Sequence, residues 1–174
     1  DRVSVTYRSN QGIILRERKE NAELSMPQFL DFPVKSGADF EALLWRLDPN
    51  HPDRLPKDFD ARLPQWNKRD SPLLLRICGA FGHPRNLMGL ERLLLTYYDD
   101  AAFIHRILDQ WAAFYETLFQ RVLSKVSVDL LMIWEDMCYK TGPLIGPALF
   151  REFMLPYYRP VSYTHLRAHE TVLD

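Results

Sequence analysis

Two apolar runs constrain this chain more than anything else in it: PLLLRICGAFG, beginning at Pro72, and VDLLMIWED, beginning at Val128. A short continuous apolar run that ends in glycine or acid reads as a strand buried on both faces of a parallel sheet. The stretch between them is amphipathic at helical spacing. HPRNLMGLERLLL presents a short helical face through Leu87, Leu90, Leu93 and Leu94, and Asp99 or Asp100 can cap a long helix that runs to about Val126. Strand, helical crossover and strand in that order give parallel pairing. Two strands alone do not make a stable sheet core for so much helix, so further partner strands are expected. The expected fold class is α/β.

The remaining segments arrange themselves around that unit. Residues 3–8 and 13–18 alternate in character on either side of Ser9-Asn10-Gln11-Gly12, which predicts a solvent-washed β-hairpin at the amino-terminal end. The next stretch, ELSMPQFLDFPVKSG, has no period. It leads to Asp39 as the cap of a short helix, ADFEALLWRLD, closed by Asp48-Pro49. Residues 49–71 are rich in proline, yet Phe59, Leu63 and Trp66 recur among them, which predicts structured irregular chain or a short helix laid across the domain. After the second strand, Gly146-Pro147 opens a helix, PALFREFMLPYYRP, expected to stop or kink at Pro156. Tyr97, Tyr98, Phe114, Tyr115 and Phe119 are expected in the core or at helix interfaces.

Charge and cysteine content narrow the functional classes. With 22 basic and 23 acidic residues the chain has a formal charge of -1, so no broad cationic surface exists for nucleic acid. No segment approaches the ~18 consecutive apolar residues of a membrane span, and DRVSVTYR is not a secretory signal, which makes a cytoplasmic setting the expectation. Cys78 and Cys138 are expected as buried thiols in a reducing compartment.

Chemistry concentrates where the two strands end, because loops at the carboxyl edge of a parallel sheet vary above a rigid scaffold. The second strand ends in Glu135 and Asp136. Neighbouring strand residues point to opposite sides, so one of the two is expected to reach a pocket while the other accepts hydrogen bonds from the backbone or from Lys140. A partly enclosed carboxylate there can act as a general acid, anchor a cationic group or fix a histidine beside a metal. The first strand brings Arg76, Phe81, His83 and Arg85 to the same rim. Arg85 can pair with a carboxylate through its planar fork, and His83 can transfer protons near neutral pH. Tyr157 lies on the helix beside the carboxylate loop and can border the pocket. Cys78, Cys138 and His83 form a weakly specific zinc set. His165 and His169, four residues apart, could face a metal, but the plainer reading is that they are foreign residues.

The run WEDMCYKTGPLIGPALFREFMLPYYRPV resembles the uroporphyrinogen decarboxylase superfamily. There a strand ending in acid is followed by Gly-Pro, a second small-residue-Pro and a helix of this form. SPLLLRICGAFGHPRNLMG looks like that family's earlier strand with its glycine-containing substrate loop, and the hairpin and FPVK…DFEALLWRLDP look like its extended members. The likeness covers about residues 1–160. It implies a partial (β/α)8 TIM barrel, truncated at both ends. Residues 161–174, VSYTHLRAHETVLD, resemble a translated sequencing-adapter read-through and are expected to be a non-native tail.

The resemblance implies Glu135 and Asp136 as catalytic residues, and Arg76, Phe81, His83, Arg85, Lys140 and Tyr157 as substrate-binding residues, with no metal ligand visible. Two chemistries divide the superfamily. Porphyrin decarboxylases have a tyrosine where this chain has Leu90 and a serine where it has Asp136, and their arginine cluster and aspartate would precede Asp1. Corrinoid-linked methyltransferases are the closer expectation, with zinc ligands from strands beyond Pro160 and the corrinoid supplied by a partner protein. Decarboxylation of tetrapyrrole acetates and a non-catalytic corrinoid- or tetrapyrrole-binding domain are the alternatives. The expected partners are a small-molecule substrate, a corrinoid-carrying protein and a second copy of the chain in a homodimer.

Overall fold

The computed structural model describes residues 3–20 and 26–170, with side chains as far as Ser162. The parallel pair is present: β4 (Leu74–Cys78) lies beside β5 (Leu130–Trp134) in unbroken register from Leu74↔Leu130 to Cys78↔Trp134. Gly79 N donates to Trp134 O at 2.9 Å and carries the pairing one step past the strand. The crossover consists of α3 (Gly82–Met88), α4 (Leu90–Asp99) and α5 (Ala101–Leu123). The expected single helical face over residues 83–95 is therefore two helices. Gly89 separates them at φ +82°, a conformation that suits glycine. A Cβ at Gly89 would stand 2.7 Å from ring carbons of Phe32. Gly89→Ala is accordingly expected to destabilise by about 2 kcal/mol, read as a lower denaturant midpoint; an unchanged midpoint would show that the α3–α4 corner relaxes freely.

Asp100 caps α5, its carboxylate accepting from Phe103 N at 3.0 Å. The buried stripe Ile104, Ile107, Leu108, Trp111, Phe119 and Val122 then divides between clusters. Its first part joins Phe40, Phe81, Leu93, Tyr97 and Phe153, while Trp111 and Phe119 pack with Ile77 and Val161, and Leu75, Leu131 and Ile133 lie against them. The strands are not buried on both faces as their sequence predicts. Leu75, Ile77, Leu131 and Ile133 face the helices, whereas Leu74, Leu130 and Met132 are 42%, 56% and 48% exposed on the other side. Tyr98 is likewise at the surface rather than in the core, because the face of α4 that packs inward carries Leu93 and Tyr97.

The hairpin forms as β1 (Ser4–Arg8) and β2 (Ile14–Arg18), and a third strand, β3 (Gln28–Asp31), pairs with β2. The stretch without a period therefore contributes a strand, and Ile13 and Leu15 are buried rather than washed by solvent. Helix α1 (Gly37–Leu43) is capped by Ser36 and not by Asp39. The Ser36 hydroxyl accepts from Asp39 N, and the Asp39 carboxylate accepts from Lys35 N at 3.0 Å and from the Ser36 hydroxyl at 2.9 Å. Two 3-10 turns follow, Leu44–Leu47 and Pro52–Arg54, and α2 (Phe59–Asn67) seats Phe59 against Val122, Val126 and Val128.

After β5 come a small antiparallel pair, β6 (Cys138–Tyr139) and β7 (Gly142–Pro143), and α6 (Pro147–Leu149). The helix does not stop at Pro156. It passes through a π-turn at Phe150–Met154 into α7 (Leu155–Glu170), which contains both Pro156 and Pro160. A proline has no N–H to give and crowds the carbonyl four residues before it, and a widened turn relieves both. Val161, at the expected boundary of the foreign tail, is fully buried beside Trp111. The side chains of His165 and His169, and residues 171–174, lie outside the described residues.

Candidate functional site

The carboxyl ends of β4 and β5 converge on Glu135. Its side chain folds back over Gly79, where Ile133 also stands, and a Cβ at Gly79 would fall 2.7 Å from Ile133 Cγ2 and into the carboxylate. That glycine leaves room for Glu135 to reach the turn leading into α3. There Phe81 N donates to its Oε2 at 3.0 Å and Gly82 N donates at 2.6 Å. Gly82 is needed for a related reason, since a Cβ on it would meet the Trp134 ring at 2.9 Å. Burial pushes the Glu135 carboxyl up to about 7, although the N–H groups of Gly82, Phe81 and Ala80 pull it down. Desolvation outweighs the peptide dipoles, and the group exchanges its proton near neutral pH.

Asp136 turns the other way and forms an ion pair with Arg85 of α3 at the exposed rim. The two carboxylates thus divide as neighbours on a strand should, one held by backbone N–H groups and one paired with a side chain. No protein-family model, no curated protein and no solved structure matches the chain.

The other expected site residues scatter. Arg76 is exposed on the open sheet face opposite Met132. Phe81 points into the core at 0% exposure, so only its backbone N–H takes part in the rim. Lys140 is exposed in the turn between β6 and β7, and among the described residues it gives no hydrogen bond to Glu135 or Asp136. Tyr157 is not at the rim at all: its hydroxyl lies 2.9 Å from His105 Nδ1 on α5. Burial and then Asp109 push that phenol up to about 12.

The zinc set does not assemble. Cys138 is exposed on β6 rather than buried, and burial, followed by the Glu135 charge, pushes the Cys78 thiol up to about 12. No group of three His, Cys, Asp or Glu side chains among the described residues is placed to hold a metal ion. No helix among them is long and apolar enough to cross a membrane.

One neighbour of Glu135 was hidden from sequence reasoning. Tyr97, placed in the core by its spacing on α4, carries a buried hydroxyl without a hydrogen-bond partner among the described residues. Burial and then the charge of Glu135 hold its phenol above the ordinary range. Nothing in the spacing of Leu90, Leu93, Leu94 and Tyr97 signals that this hydroxyl feels a carboxylate far along the chain.

Proposed function

We propose that these residues form one side of the substrate rim of a (β/α)8 barrel of the uroporphyrinogen decarboxylase superfamily, in a cytoplasmic member that transfers a methyl group from a corrinoid. The observation that carries the reading is the placement of Glu135 and Asp136 at the carboxyl end of a parallel βαβ unit, each held by groups from the loop and helix that follow the neighbouring strand. The open face with Leu74, Leu130 and Met132 supports it, because in a barrel the face turned away from the helices is the inner wall.

In this reading Glu135 holds or passes a proton near neutral pH, and the Asp136–Arg85 pair orients the acceptor. The corrinoid, carried by a partner protein, supplies the methyl group. Decarboxylation of a tetrapyrrole is less well supported, because Arg85 is engaged by Asp136 and is not free to gather substrate carboxylates.

The test is turnover by the intact polypeptide with methylcobalamin as donor and 2-mercaptoethanol as acceptor, followed by the corrinoid absorbance. Demethylation above the buffer rate is expected, falling about tenfold in Asp136→Asn while the melting temperature holds. Consumption of uroporphyrinogen in its place would move the reading to decarboxylation. Saturable corrinoid binding without product would leave a binding domain, and parallel loss of turnover and stability in Asp136→Asn would reduce the pair to loop support.

A further inference from the structure

Away from the carboxylate rim, a cavity of about 330 Å³ lies between α5 and the segment carrying α1 and the two 3-10 turns. Its volume is at the lower end of small-molecule pockets, roughly 300–1,000 Å³. Phe40, Leu43, Trp111, Phe114 and Tyr115 give it apolar and largely aromatic walls. The charged groups lining it are all of one sign. Arg46 and Arg54 are both there, and no aspartate or glutamate among the described residues is.

Among the described residues the two guanidinium groups are held in place by carbonyl oxygens and pair with no carboxylate. Arg46 Nη2 donates to Asn10 O at 2.8 Å, and Arg54 Nε donates to Asp48 O at 2.9 Å, while a second Arg54 N–H reaches Arg46 O. Arg54 also lies 4.9 Å over the Phe114 ring, which sets the plane of its fork. Carbonyl oxygens fix a guanidinium but leave its charge uncancelled, and each arginine has five N–H donors, so donors and positive potential both remain. From the opposite wall, His83 and Asn86 of α3 and Gln110 of α5 add neutral polar groups. His83 Nε2 is buried with no hydrogen-bond partner among the described residues. Burial draws that ring down to about 4, so it stays uncharged at neutral pH.

We propose that this cavity binds a small organic anion: an aromatic or apolar body carrying one carboxylate, which pairs with Arg54 and Arg46 while the body lies among Phe40, Trp111 and Phe114. The uncharged His83 ring borders that body from the inner wall and sets no charge against the anion. Glu135, Asp136 and Arg85 do not line the cavity, so binding there stands apart from the methyl-transfer reading and is measured without turnover.

The probes are phenylacetate, its neutral amide phenylacetamide and its cationic counterpart phenethylammonium, titrated against the full chain by calorimetry and tryptophan fluorescence. Phenylacetate is expected to bind saturably and the amide about tenfold more weakly, with no saturation by the ammonium. Arg54→Gln should bring phenylacetate down to the level of the amide and leave the amide unchanged. Because Arg54 also holds two backbone carbonyls, the amide affinity reports whether the cavity survives the substitution. Arg46→Gln, at an exposed position, should weaken phenylacetate in the same sense. The proposal is overturned if the amide or the ammonium binds as tightly as the acid, or if phenylacetate fails to saturate by about 10 mM. It is equally overturned if both arginine variants leave phenylacetate binding untouched.

Discussion

Trp111→Ala is expected to destabilise the protein by about 4 kcal/mol, among the largest effects a single truncation can have here. Trp111 is 1% exposed and meets Tyr115 and Tyr158 edge to face at centroid distances of 5.3 and 6.0 Å. Its indole N–H also donates to Cys78 O at 2.8 Å and ties the middle of α5 to the end of β4. The alanine variant therefore loses packing and leaves a carbonyl at the strand end without its donor. Trp111→Phe keeps most of the volume and should cost only about 1.5 kcal/mol, which separates the two contributions. Chemical denaturation followed by far-ultraviolet circular dichroism reads both. A loss below about 1 kcal/mol for the alanine variant would show that α5 is not anchored to the sheet through this residue.

Stability is expected to fall as pH rises from 4.5 to about 7, by about 3 kcal/mol, through Glu135 alone. The folded protein keeps a proton on this carboxyl up to about 7, whereas the unfolded chain releases it near 4.5. Between those values the native state binds the extra proton, so this contribution is complete below 4.5 and gone above about 7. Glu135→Gln has no proton to lose and still offers an oxygen to the N–H groups of Phe81 and Gly82. Its stability curve should lack that slope, and the variant should gain on the wild type across the interval. Denaturant midpoints of the two proteins at pH 4.5, 6 and 8 decide the matter. Parallel curves would mean that the peptide N–H groups, not desolvation, govern the carboxyl, and the case for Glu135 as a neutral-pH acid would lapse.

What could be read from the sequence depended on whether a local pattern decided the outcome. The parallel unit was legible because its two apolar runs end in glycine and acid and because Asp100 marks the start of α5. The open face of β4 and β5 was not, since Leu74 and Leu130 are as apolar as Leu75 and Leu131, and only the position of the helices distinguishes them. Strand β3 was missed because its pairing partner, β2, supplies order that QFLD lacks by itself. The split of labour between Glu135 and Asp136 followed from strand alternation, yet which one the backbone would hold depended on Gly79, a residue distant in the chain. Tyr157 was misplaced because the helix was expected to stop or kink at Pro156, whereas it continues through a widened turn and delivers Tyr157 to His105.

That π-turn has a consequence for how the whole carboxyl-terminal helix is to be compared with others. A π-turn contains one residue more than an α-turn, so every side chain after it is rotated by about 100° about the axis. Phe153 meets Tyr97 and His105, Tyr157 meets the same His105, and Tyr158 and Val161 pack at Trp111 further along α5. Deleting a single residue between Phe150 and Met154 would restore an even spiral and turn Val161 out of its cavity beside Trp111. The bulge thus acts as a one-residue insertion whose angular offset sets which side chains of α7 reach Trp111.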